Sequence, residues 1–197
     1  MDFASIEKKW QERWFSREIY KAKKEKGKKF FIHFAYPGIS GYLHVGHMRG
    51  FTYADIIARY MRMKGYDVIF PAGFHATGLP AVSLAKKVAR KDEATLQYLR
   101  QNGCPEEIIE RLADPLEVVK FFSKVYVEEY WKKFGFLIDY TRLMDTISPG
   151  YKKFIQWQFR KLNEKGLLIQ KPHFAPFCPN CGPVAVDRLS LIHISEP

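Results

Sequence analysis

Apolar and polar positions repeat along this chain with two periods, and the changes between them mark its elements. From Ser5 to Tyr20, Ile6, Trp10, Trp14 and Phe15 share one face at helical spacing, which predicts an amphipathic helix packed on a core. Lys29-Phe30-Phe31-Ile32-His33-Phe34-Ala35 is a short apolar run of the kind that forms a buried strand. Val45, Met48, Thr52, Ile56, Tyr60 and Met63 then recur at three and four, predicting a helix to Lys64 that Gly65 stops. Asp67-Val68-Ile69-Phe70, ended by Pro71, predicts a second strand, parallel to the first through a right-handed crossover. Gly73, Gly78 and Pro80 predict an irregular loop after it.

From Pro80 to Thr146 the pattern is mostly helical. Ala81–Lys91 is basic and amphipathic, and Pro105–Leu112 is a short helix with acidic residues at its positive end. Asp114-Pro115-Leu116-Glu117 predicts a capping box opening a longer helix, with Val118, Phe121, Phe122, Val125 and Tyr126 inward and Gly135 as its stop. The aromatic cluster Tyr126, Tyr130, Trp131, Phe134 and Phe136 could stack on bases, but its helical spacing favours the core. Ser148-Pro149 starts a last helix that Gly166 ends, and Leu167-Leu168-Ile169 is a third strand candidate.

The order strand, glycine-bearing loop, helix predicts an α/β fold of the Rossmann-like, parallel-sheet kind. It places backbone N–H groups and the positive end of a helix at the carboxyl edge of the sheet, where phosphates bind. The loop reads Tyr36-Pro37-Gly38-Ile39-Ser40-Gly41-Tyr42-Leu43-His44-Val45-Gly46-His47. Spaced by three on a first helical turn, His44 and His47 point the same way and can donate to oxygens that gain charge as a phosphoryl group is attacked. Gly46 between them leaves bare backbone against which a flat ring can lie. His75 stands in the loop after the second strand, facing the same crevice, with a purely structural histidine as the alternative.

Composition narrows the partners. The 197 residues are 47% hydrophobic and 16% aromatic, enough for one sizeable domain and the start of another. No apolar run approaches the roughly 18 residues that cross a bilayer, and Met1–Ser5 lacks a signal-peptide pattern, so the expectation is a cytoplasmic protein without membrane partners. A net charge of +11 suits a polyanion such as nucleic acid, although solubility alone would also explain it. The six lysines of Lys21–Lys29 read as a solvated loop. Cys178-Pro179-Asn180-Cys181-Gly182 aims two thiolates at one point, which is half of a tetrahedral zinc site or else a free or redox dithiol. Cys104 stands alone and is expected to be inert.

Leu43-His44-Val45-Gly46-His47, preceded by Ala35-Tyr36-Pro37 and Ser40-Gly41, resembles the first signature of the class I aminoacyl-tRNA synthetases. The resemblance continues through Ala58-Arg59-Tyr60, Met63-Lys64-Gly65-Tyr66 and Phe70–Pro80, then Phe136–Tyr140, and finally Lys153–Phe159 with Leu162 and Lys165-Gly166-Leu167. It runs from Ile6 to Asp187. The subgroup that charges leucine, isoleucine or valine is nearest. Within it, the length of the loop from Tyr36 to His44 and a histidine at 75, where many relatives carry an aspartate for the substrate's ammonium, resemble leucyl enzymes of archaeal or eukaryotic type.

That resemblance implies activation of leucine by ATP and transfer of the aminoacyl group to tRNA, with isoleucine, valine or methionine as alternatives. It implies that His44 and His47 stabilise phosphate charge, that Gly46 seats the adenine, and that Tyr36, Pro37, Ser40, Gly41 and Leu43 complete the ATP loop. Phe34, Tyr36, Tyr42 and His75 would line the amino-acid side, and Mg2+ would accompany the nucleotide. Zn2+ at Cys178 and Cys181 would belong to a knuckle where an editing insertion begins. Residues 1–170 would thus be the first part of the catalytic domain with a helical insertion, and 171–187 the start of the connective insertion. Residues 188–197, ending in Leu189–Pro197, resemble a translated sequencing adapter and are expected to be a non-native tail. The family's Lys-Met-Ser-Lys-Ser loop does not occur in these residues. Removing one set of preorganised donors commonly costs about 10²- to 10³-fold, so this polypeptide alone is expected to charge tRNA negligibly. A small nucleotidyltransferase shares His-x-Gly-His but not the matches at Phe70–Pro80 and Phe154–Phe159. A non-catalytic tRNA-binding descendant is the other rival.

Overall fold

The computed structural model describes residues 2–23, 27–172, 177–178 and 182–183. Helix α1 is Phe3–Ser16, strand β1 Lys29–Phe31, α2 Val45–Met63, β2 Asp67–Ile69 and β3 Ala72–Phe74. Then come α3 Leu79–Ala89, α4 Glu93–Gln101, α5 Glu106–Arg111 and α6 Pro115–Val125, which runs on into a π-helical turn, Tyr126–Trp131. A 3-10 turn Tyr140–Arg142, strand β4 Leu143–Asp145, helix α7 Pro149–Glu164 and the short strands β5 Phe177–Cys178 and β6 Gly182–Pro183 complete the described elements. β5 and β6 are antiparallel.

The strands that frame the α2 mouth are parallel. β1 pairs with β2, Phe30 opposite Val68, and β3 pairs with β4, Gly73 opposite Met144. A lone parallel bridge between Gly38 and His75 joins the loop before α2 to the loop after β3. Helices with short parallel strands form the expected α/β arrangement.

Several sequence expectations need correction. The first strand stops at Phe31; Ile32 makes one more bond, to Ile69 O at 3.1 Å, and the chain then turns so that Pro37 O can accept from His75 N. Ala72-Gly73-Phe74 is a strand, not irregular loop. Its partner Leu143–Asp145 is remote in sequence, and a Cβ on Gly73 would lie 2.6 Å from Met144 O and 2.8 Å from the Tyr36 ring. Leu167-Leu168-Ile169 forms no strand; Leu167 and Ile169 are exposed, and no ladder forms there among the described residues. Helix α1 spans Phe3–Ser16, docking through half-buried Trp14 and Phe15 while Ile6 and Trp10 stay exposed. At α6, Asp114 caps through Leu116 N, but Glu117 binds Lys120 and Arg111 instead of closing a box.

The core is aromatic around α2. Phe34 lies 4.3 Å from Phe51, and Trp131 stacks on Phe74 at 5.4 Å and 10°. Burying such side chains supplies about 1.5–3 kcal/mol each. A polar bolt adds direction. Asp55 accepts from Leu137 N at 2.7 Å and from Arg59 Nε at 2.6 Å, Arg59 reaches Gly135 O, and Arg62 reaches Leu137 O at 3.0 Å. This fixes α2 against the segment from Gly135 to Tyr140, and so fixes its mouth. Asp139, also buried, holds the turn beyond by accepting from Thr141 N and Arg142 Nε at 3.1 and 2.9 Å.

Candidate active site

The loop Tyr36–His44 has little regular structure of its own and borrows its shape. His75 N donates to Pro37 O at 2.9 Å and Ile39 N to His75 O at 3.3 Å, so the loop before α2 and the loop after β3 are sewn edge to edge. Buried Pro37 and Ile39 anchor it from below. Gly41 adopts φ +141°, a conformation that other residues adopt only with strain.

At the helix mouth His44 is the N-cap, with φ −115° and ψ 170°. Its Nδ1 accepts from Gly46 N at 3.1 Å, and His47 Nδ1 accepts from His44 N at 3.3 Å. The two histidines form a reciprocal capping box, with ring centroids 3.9 Å apart. Each Nδ1 acts as an acceptor, so the neutral tautomer that fits the network carries its proton on Nε2. The fold thereby turns two imidazoles into a pair of Nε2–H donors beside the positive end of a 19-residue helix. Exposed His44 and half-buried His47 are accessible to a ligand. A Cβ on Gly46 would lie 2.9 Å from His44 Cε1, so the glycine makes room first of all for the His44 ring.

A cavity of about 350 Å³ is lined by Phe31, His33, Phe34, Ala35, Tyr36, His75, Thr146 and Tyr151, and neither His44 nor His47 is in its wall. It brings together three of the four residues expected on the amino-acid side. The fourth, Tyr42, does not line it. Its ring packs on Tyr98 at 5.8 Å and Phe122 at 5.1 Å, and burial raises its pKa. Leu43 is buried in the core and can serve an ATP loop only through its backbone. Ser40 opens onto a different cleft, with Pro80, Lys87 and Tyr98. Tyr36 is half-buried, its phenol pKa raised by burial, and its hydroxyl faces Met144 Sδ at 3.5 Å.

Thr146 carries no motif, yet its Oγ1 accepts from Ala76 N and Thr77 N at 3.0 Å each and lies 3.0 Å from Thr77 Oγ1. It holds the loop that presents His75. Tyr98 and Tyr126 hold the other side of the site, and no local signal in the sequence marks any of the three. Cys178 faces Gly182 across the β5–β6 pair, whereas Cys181 lies outside the described residues. Residues 188–197 also lie outside them. Among the described residues no group of three or more His, Cys, Asp or Glu side chains could hold a metal ion, and no helix is long and apolar enough to cross a membrane.

Residues 8–187 match the family of class I tRNA synthetases for isoleucine, leucine, methionine and valine. The chain is 44% identical to a leucine–tRNA ligase of Methanosarcina barkeri over 176 residues, which is 89% of this chain and 18% of that protein. It is 42% identical to the leucine–tRNA ligase of Methanocaldococcus jannaschii over 193 residues, 98% of this chain and 20% of the relative. It therefore spans about a fifth of the length of the relatives it matches. Among solved structures it resembles a LeuRS of Agrobacterium radiobacter, determined as a ternary LeuRS–tRNA–LeuAMS complex. That likeness has a TM-score of 0.61 and 26% identity, covering 91% of this chain and 20% of that one.

Proposed function

Because this chain belongs to the class I tRNA synthetases of the isoleucine, leucine, methionine and valine group, we propose that it is the first part of the catalytic domain of a leucine–tRNA ligase of archaeal type. The whole protein activates leucine with ATP and passes the leucyl group to tRNA in the cytosol. The reciprocal histidine cap is the observation that carries the chemistry, and the identity to archaeal leucine–tRNA ligases supports the choice of amino acid.

In activation, an oxygen of the leucine carboxylate attacks the α-phosphorus, the bond from that phosphorus to the bridging oxygen breaks, and pyrophosphate leaves with the bond's electron pair. Charge builds on the non-bridging and leaving oxygens, and the Nε2–H groups of His44 and His47 are aimed to receive it. Gly46 and the backbone of Pro37, Ser40, Gly41 and Leu43 border the nucleotide, while Phe34, Tyr36 and His75 border the amino acid. Mg2+ on the nucleotide's phosphates would supply further charge neutralisation when bound.

Residues 1–170 then form the first part of the catalytic domain and 171–187 the start of a connective insertion. Cys178 and Cys181 supply two zinc ligands there, a reading supported by the spacing of the two cysteines in Cys178-Pro179-Asn180-Cys181-Gly182. Metal analysis of the full-length parent protein tests this: about one zinc per chain, lost in Cys178→Ser, is expected, and no zinc in the unsubstituted protein overturns it.

Amino-acid-dependent ATP–pyrophosphate exchange by the full-length parent protein tests the main reading. Exchange driven by leucine well above isoleucine, valine and methionine is expected. No exchange with any of the four leaves a non-catalytic tRNA-binding role, and faster exchange with another amino acid reassigns the substrate.

A further inference from the structure

The loop that delivers His44 is held from the helical segment by two phenols. Tyr126 is 1% exposed and donates from its hydroxyl to Gly41 O at 2.6 Å, with Gly38 O at 3.2 Å as a second acceptor. Tyr98, on α4, accepts the backbone N–H of Tyr42 at 3.0 Å, and a Cβ on Gly41 would lie 3.1 Å from the same phenol oxygen. The C=O and N–H of the Gly41–Tyr42 peptide, just before His44, are thus satisfied by side chains from helical segments remote in sequence. Buried backbone groups need such partners, and leaving them unmade is costly.

The π-turn explains how Tyr126 reaches the loop. In a regular α-helix, residues five apart point to different sides, yet Tyr126 and Trp131 are both buried, at 1% and 0% exposure. Widening the helix over Tyr126–Trp131 lets Trp131 stack on Phe74 beneath β3 while Tyr126 faces Gly38 and Gly41. π-turns of this kind recur at functional sites.

We propose that Tyr126, seconded by Tyr98, is a positioning residue for adenylate formation, setting the Gly38–Tyr42 backbone and through it the placement of the His44 imidazole. This rests on the leucine-activating reading of the site. The two phenols act through the loop and not on substrate, so their loss lowers turnover more than it weakens leucine binding. A misplacement near 1 Å at a reacting centre costs about 10²-fold.

The test uses Tyr126→Phe and Tyr98→Phe in the full-length parent protein, read by leucine-dependent ATP–pyrophosphate exchange and by amide hydrogen exchange. Tyr126→Phe is expected to lower kcat about 10- to 100-fold with the KM for leucine within about threefold. Amides of Ile39–His44 should exchange at least tenfold faster while those of Val118–Phe122 stay unchanged. Tyr98→Phe should act in the same direction more weakly. Turnover within twofold of the unsubstituted protein in both variants, or loop amides unchanged in Tyr126→Phe, overturns the proposal. If helix amides speed up together with the loop, the phenol serves global stability and the proposal fails. Absence of leucine-dependent exchange in the unsubstituted protein would sink the functional reading instead, and hydrogen exchange, which needs no activity, would still decide whether the phenols hold the loop.

Discussion

Asp55 on α2 accepts the backbone N–H of Leu137 at 2.7 Å, tying the helix that bears the two histidines to a segment 82 residues away in sequence. The carboxylate is 5% exposed and also holds Arg59 Nε at 2.6 Å. Asp55→Ala strands a buried amide and leaves Arg59 without its anion. Removing one partner from a buried pair costs about 3–5 kcal/mol, discounted here toward about 3 because Arg59 is partly exposed. Urea unfolding should show this loss; a change below about 1 kcal/mol would mean the bolt does not hold α2.

His44 has two roles that substitution can separate. Asparagine is a good N-cap, so His44→Asn keeps an acceptor for the Gly46 amide and loses the Nε2–H donor. It should unfold within about 0.5 kcal/mol of the unsubstituted protein, while amino-acid-dependent exchange by the full-length protein falls about 10²-fold. His44→Ala should lose the same activity and also about 1 kcal/mol of stability. Activity retained in the asparagine variant would show that His44 is only a cap.

Two glycines near the site tolerate a methyl group differently. At Gly73 the added Cβ meets backbone, Met144 O at 2.6 Å, and the β3–β4 ladder must part. Gly73→Ala should cost about 1–3 kcal/mol, as overpacking does. At Gly46 the added Cβ meets the His44 ring at 2.9 Å, and a side chain can swing aside. Gly46→Ala gives up the His44 cap, about 1 kcal/mol, and gains a similar amount of helix propensity, so it should leave stability nearly unchanged, judged by thermal melting, and lower exchange activity by displacing the imidazole. Equal destabilisation by both would contradict this geometry.

What the sequence made legible follows from the range of the interactions involved. Helices α6 and α7 could be read because their caps at Asp114 and Ser148 are local. Helix α2 was readable as a helix, although Val45, Ile56, Tyr60 and Met63 of the stripe that marks it are exposed and its buried face is Met48, Phe51, Ala54 and Ala58. Strand β3 could not, since three residues containing a glycine become a strand only by pairing with Leu143–Asp145. The paired direction of His44 and His47 was visible in their spacing. Their Nδ1 caps, which choose the tautomer, required the backbone conformation. Tyr42 looked like a pocket residue by its place in the signature, and packing against Tyr98 and Phe122 turned it away. The π-turn has no periodicity of its own and is fixed by where Tyr126 and Trp131 must go.

Acid should loosen the β1–β2 edge through Asp67. A hydrogen bond from the Lys29 ammonium and one from Lys23 N hold its carboxyl below the usual carboxylate range. Its folded pKa lies below its unfolded value of about 3.9, so its contribution is present above that pH and is lost as pH falls toward the lowered folded value. Asp67→Asn should flatten the fall in unfolding free energy below about pH 4. An unchanged slope would assign the acid sensitivity to other carboxylates.

Thr146 offers a way to perturb the proposed amino-acid side without touching His44 or His47. Its hydroxyl oxygen takes two backbone N–H bonds from the loop that carries His75, and the residue also lines the cavity with Tyr36 and Tyr151. Valine has the same shape and cannot accept, so Thr146→Val frees Ala76 N and Thr77 N. Because Thr77 is exposed, water repairs part of the loss, and stability should fall by only about 1 kcal/mol. The effect on function should be larger and specific. His75 would leave its place opposite Gly38, raising the KM for leucine about 5- to 20-fold in the full-length protein while kcat changes less than threefold, the pattern of lost ground-state binding. Serine restores the acceptor, so Thr146→Ser should recover most of the lost affinity. A leucine KM unmoved by valine, or not recovered by serine, would show that the loop holds His75 without this hydroxyl.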